Sequence, residues 1–188
     1  MCPAGDRRSQ DGVTARGDKG FALIDLLFVC GIIGILSAIA VPRLLSARNS
    51  ATSASAIATM RTLSTAQLAF ALSCGNGYYA PDLPSLAKPP INSSSGFIGV
   101  DLGAGPTVAR SGYTIQMTGT SMAGAPDSCN QLGPDNGAQA FKAGADPFDA
   151  SNPRYFATNA LGVVYEDTSS LFATIPEAAE PPAGHPIH

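Results

Sequence analysis

From Phe21 to Val41 the chain reads FALIDLLFVCGIIGILSAIAV, a run in which Asp25 is the only charge. About 20 such residues, coiled into a helix, match the hydrocarbon thickness of a bilayer. A core helix of a soluble domain would show a polar face at helical spacing, and this run shows none. The segment is therefore expected to be a transmembrane helix. Arg7, Arg8, Arg16 and Lys19 outnumber Asp6, Asp11 and Asp18 in the preceding residues, whereas the rest of the chain is acidic. By the positive-inside rule the first 20 residues belong on the cytoplasmic side and the acidic body on the other.

Three fates are open to such a segment. Ala38-Ile39-Ala40 offers a signal-peptidase site, which would release a secreted binding domain beginning at Val41. An acid one turn into the apolar stretch argues against that, since a mid-helix Asp costs about 2.5–3.5 kcal/mol, less near an end. A lipid anchor on Cys30 is weaker still, because Leu27-Phe28-Val29 lacks a small residue next to the cysteine. The third fate rests on a resemblance. Lys19-Gly20 followed by Phe21-Ala22-Leu23-Ile24-Asp25 resembles the class III signal of type IV pilins and type II secretion pseudopilins. The likeness continues through Gly31–Leu36, Ala38-Ile39-Ala40 and Val41-Pro42, about 25 contiguous positions.

The resemblance implies a prepilin peptidase that cuts between Gly20 and Phe21 and methylates the new Phe21 amine. It also implies an α+β pilin fold, in which a long N-terminal helix packs on a small antiparallel sheet. Its partners would be other pilin subunits and an inner-membrane assembly platform. The precursor would wait as a single-pass inner-membrane protein before joining a filament at the cell surface or a pseudopilus in the periplasm. The family overwhelmingly carries Glu where this chain has Asp25. A carboxylate one turn from a buried amine neutralises it, within a subunit or between neighbours, and Asp keeps that charge with one methylene less of reach. Pilin and pseudopilin both remain open, as do adhesion, motility, DNA uptake, secretion and electron transfer as roles of the filament.

The expected organisation is a leader at 1–20, an apolar half-helix at 21–42 and a head at 43–188. Pro42 lacks an N–H and should kink the helix. Helical character resumes over 43–74, with Ile57, Met60, Leu63, Ala66 and Phe70 as a core-facing stripe. Gly75-Asn76-Gly77 is the expected stop. An irregular connection at 75–111, with a short helix near Leu83–Lys88, should lead to an antiparallel sheet within 112–167. Its strand signals are Tyr113–Thr118, Ala138–Ala143, Tyr155–Thr158 and Val163–Tyr165, the last two flanking a tight connection at 159–162 that resembles the final pilin hairpin. The Pro-rich end from Pro176 is expected to be a flexible tail.

Cys2 falls in the leader and Cys30 in the apolar run, which leaves Cys74 and Cys129 in the exported head. They are expected to form a disulfide worth about 3–4 kcal/mol, two separate buried thiols being the alternative. With no Trp, with only His185 and His188 as histidines and with no nucleophile–base pair or phosphate loop, the chain is not expected to be an enzyme. A net charge of -3 argues against a broad nucleic-acid surface. No cofactor or metal is expected. Calcium is the one ion the loop acids bring to mind, at Asp146, Asp149 and Asn152 or at Asp127, Asp135 and Asn136, and neither group supplies a full EF-hand ligand set.

Overall fold

The computed structural model describes residues 23–149 and 152–187. By internal contacts the chain divides between Leu44 and Leu45 into two units. The helix α1, Leu23–Ser73, runs through that division and through Pro42, so the proline does not end it. In the second unit, helix α2 is Leu83–Ala87 and six strands follow. These are β1, Thr107–Arg110; β2, Tyr113–Thr118; β3, Lys142–Pro147; β4, Tyr155–Asn159; β5, Val164–Asp167; and β6, His185–Ile187. They form one antiparallel sheet in which each strand pairs with its neighbours in sequence. The layout is α+β.

The head half of α1 buries Ser53, Ala56, Met60, Leu63, Gln67 and Phe70, which step by three or four and so share one helical face. Against it lie Tyr113, Ile115 and Met117, the alternate residues of β2, with Phe156 of β4 and Val164 of β5 in the same core. The expected stripe was right in period, but Ile57 is only half-buried while two polar residues are fully buried. Both polar residues are satisfied. Gln67 Nε2 donates to the Ala80 carbonyl at 2.7 Å, and its Oε1 accepts from the Ala80 N–H at 2.9 Å. Ser53 Oγ meets the Tyr113 hydroxyl at 3.0 Å, and Asn152 Nδ2 donates to that hydroxyl at 2.9 Å. Polar groups with such partners avoid the desolvation penalty that would otherwise bar them from the interior.

Helix α1 stops as its sequence implies, with Asn76 and Gly77 at φ 51° and 92°, and the Gly77 N–H donates to the Ala71 carbonyl. The helix α2 also lies where it was expected, capped by Asp82, whose Oδ1 accepts from the Ser85 N–H at 2.8 Å. The sheet is larger than expected. Strand β1 lies inside the stretch read as irregular, joined to β2 by Ser111 and Gly112 at φ 49° and 83°. Two positive-φ residues make the tight turn that matches strand twist. Strand β3 begins four residues after the expected start at Ala138, and Ala138 itself makes isolated bridges to Tyr79 and Ser121.

The expected flexible tail at 176–188 is corrected by β6, which pairs with β5 through His185, Pro186 and Ile187. The cause is a second apolar layer. Leu171 and Ile175 are buried against Ala157 and Tyr165, on the face of the sheet away from α1. Phe172 lies over Gly144, where a Cβ would come within 2.8 Å of the ring-bearing carbon. Asn159 Nδ2 then donates to the carbonyls of Pro176 at 2.9 Å and Ala179 at 2.7 Å, carrying the chain back to the sheet edge.

Arg154 meets Glu166 of β5 with two nitrogens, Nη2 to Oε2 at 2.8 Å and Nε to Oε1. The hydrogen bond from Arg154 holds the Glu166 carboxyl below its ordinary pKa, and the same bond holds the guanidinium above its own. A lowered carboxyl pKa contributes stability above the unfolded value, and that contribution is lost as pH falls through the folded one. The Arg154 side chain is 41% exposed, so solvent screening keeps the pair to about 1 kcal/mol. Glu166→Gln is accordingly expected to cost about 1 kcal/mol at pH 7 and to flatten the stability profile below about pH 4.5. Urea melts across pH 3–7 measure both, and an acid limb identical to the parent's would contradict the assignment.

Candidate functional site

The described part of the first unit, residues 23–44, is helical, and its apolar side chains are exposed. Its most apolar stretch is long enough to cross a membrane, and none of that stretch is buried. Leu23, Ile24, Phe28, Ile35 and Leu44 are all more than two-thirds exposed, Leu23 reaching 78%. Apolar burial stabilises by about 25 cal/mol per Å2, so a surface of this kind is compatible with a place in lipid or against other protein. The polar atoms of the segment are few. Ser37 satisfies its hydroxyl by donating to the Ile33 carbonyl at 2.7 Å, a bond that a helix in an apolar medium also retains. Gly31 and Gly34 leave open space where a Cβ would stand, and Cys30 is a free, exposed thiol.

Asp25 lies in the first described turn of α1 and is exposed. A carboxylate near a helix N-terminus is favoured by the helix dipole, which supplies part of the compensation that an isolated charge in an apolar medium needs. Gly20 and Phe21, the expected processing pair, lie outside the described residues. Pro42 is inside the helix, followed by Arg43 and Arg48, both exposed.

In the second unit Cys74 and Cys129 form the disulfide expected of them. The bond joins the end of α1 to the segment before β3, and the backbone reinforces it. The Cys129 N–H donates to the Cys74 carbonyl at 3.1 Å, and Asn76 Nδ2 donates to the Asp127 carbonyl at 3.0 Å. Asn130, buried and unremarked in the sequence, donates to the carbonyls of Ser85 and Lys88 and so ties this segment to α2 as well. Its only sequence signal was its position beside Cys129.

Two of the acids considered for calcium accept hydrogen bonds within the fold. Asp146 Oδ2 accepts from Ser170 Oγ at 2.8 Å, and Asp135 Oδ1 accepts from the Gly124 N–H at 2.6 Å. Asn152 points into the Tyr113 cluster, and Asn136 Nδ2 bonds the carbonyls of Leu132 and Pro134. Among the described residues no three His, Cys, Asp or Glu side chains are grouped to hold a metal ion. No family model, curated protein or solved structure matches this chain.

Proposed function

We propose that this chain is a structural subunit of a type IV pilus or pilus-like filament, cut after Gly20 and assembled through its apolar N-terminal helix. One observation carries the reading: among the described residues the apolar half of α1 is exposed throughout, while the second unit buries a core of its own. A membrane-resident subunit needs such a helix, and lateral packing of many copies would bury the same surface in a filament. Asp25 is the charge that must then be matched by a neighbour. The Gly20–Phe21 signal supports the same reading independently.

N-terminal sequencing of the mature protein tests it. A methylated Phe21 is the expected first residue, whereas Val41 would identify a secreted domain instead. Asp25→Ala is expected to leave processing intact and to lower incorporation into filaments by at least about tenfold, since a buried charge stripped of its partner costs about 3–5 kcal/mol. Normal incorporation of that variant would remove Asp25 from the assembly role. Long surface fibres containing the chain would identify a pilin, and short periplasmic assemblies a pseudopilin.

A further inference from the structure

Asp25 and Arg43 bracket the apolar segment, and no other charge lies between them. They are 18 residues apart in one continuous helix. At 3.6 residues per turn that separation is five whole turns, about 27 Å of rise, so both side chains project from the same face. Both are exposed, and among the described residues neither takes part in an ion pair.

Two parallel copies at the same level, turned face to face, would set carboxylate against carboxylate and guanidinium against guanidinium. A displacement of about 27 Å along the axis reverses this, bringing Asp25 of one copy level with Arg43 of the other. Every copy in one bilayer sits at the same depth, with Asp25 near one interface and Arg43 near the other, since about 30 Å of hydrocarbon separates the two. The displaced arrangement therefore becomes available only when one copy has moved outward by about a membrane thickness.

We infer that Asp25 of one subunit pairs with Arg43 of another subunit displaced by 18 residues along the helix axis, so that the pair fixes filament stagger and disfavours side-by-side association in the membrane. The inference rests on the filament reading and names the partner of its one intramembrane acid. A displaced, head-to-tail contact of this kind does not close on itself and so propagates as a filament. Guanidinium suits the role, because it stays charged in an apolar setting and can take a carboxylate with two nitrogens. The Phe21 amine, four residues before Asp25 in the sequence, is the competing counter-charge, and that alternative gives Arg43 no part.

The test uses the full chain in its native host with Cys30→Ser, co-expressed as two differently tagged copies. One copy carries Asp25→Cys and the other Arg43→Cys, and sheared filaments are treated with a short bismaleimide, which spans the gap that an Asp–Arg pair leaves between the two backbones, and analysed by denaturing electrophoresis. The expected mixed dimer exceeds by about tenfold that from a control pairing Asp25→Cys with Gly34→Cys, whose positions a copy displaced by 18 residues does not align. In a second measurement, with Asp25 unchanged, Arg43→Glu lowers incorporation by at least about tenfold, and Arg43→Lys, which keeps the charge but loses the two-nitrogen contact, falls between it and the parent. Membrane level and Gly20–Phe21 cleavage stay unchanged in both. Filaments that carry Arg43→Glu at the parental level, or that give no preferred cross-link, would overturn the pairing and leave the filament reading standing. A parent chain left uncut at Gly20 and absent from filaments would overturn both.

Discussion

Replacing Cys74 and Cys129 by serine is expected to lower the stability of the head by about 4 kcal/mol, the chain-entropy value for a closed loop of 55 residues. The loop encloses α2, β1 and β2, so its unfolded form gains freedom over more than a quarter of the chain. Cys74 is buried at 4% exposure, and its serine replacement would also place a hydroxyl in the core at the end of α1. The backbone bonds around the disulfide, from Cys129 to Cys74 and from Asn76 to Asp127, offset only part of this, since each net bond contributes about 1 kcal/mol. A denaturant midpoint measured for the head with and without reductant checks the result. Equal midpoints would show that the cross-link constrains nothing the fold does not already hold.

Phe70→Ala is expected to cost about 3–5 kcal/mol, the range for truncating a fully buried aromatic. Phe70 is 0% exposed and meets Phe97 edge to face, with ring centroids 5.3 Å apart. Its ring also approaches Gly75, where a Cβ would stand 2.7 Å from it and 2.1 Å from the Tyr78 carbonyl oxygen. One side chain thus joins the end of α1, the turn that follows and the long connection carrying Phe97. The disulfide four residues on pins the adjacent backbone and so limits its collapse into the cavity. Calorimetry of the variant should show the loss, and combining Phe70→Ala with Cys74→Ser should cost less than the sum, since both act at one joint. Strict additivity would separate the two effects.

Much of this arrangement was legible because it depends on local chemistry. The apolar run, the length of α1 and its stop at Asn76 and Gly77 follow from hydropathy, period and left-handed backbone preference. Strand β2 was legible for the same reason, since one face is buried and the other only partly, which leaves the alternation visible. Strand β3 was not. Ala143, Gly144 and Ala145 are buried on both faces, so alternation disappears and small residues replace the β-branched signal. The short β1 was hidden in a connection because only Val108 of its four residues packs against the core.

The candidate site divides in the same way. The chain's sequence alone determined that one segment is long and apolar enough to cross a membrane, that Asp25 is the charge within it, and which two cysteines lie beyond it. Tertiary structure decided that this stretch is exposed among the described residues, while the second unit buries a core of its own. It also decided that Gln67 and Ser53 enter the core, since only folded partners such as Ala80 and Tyr113 make a buried amide or hydroxyl tolerable. The Pro-rich end shows the same cause. Composition reads it as unstructured, yet Leu171, Ile175 and the Asn159 amide hold it across the sheet, and those contacts exist only once the strands have met.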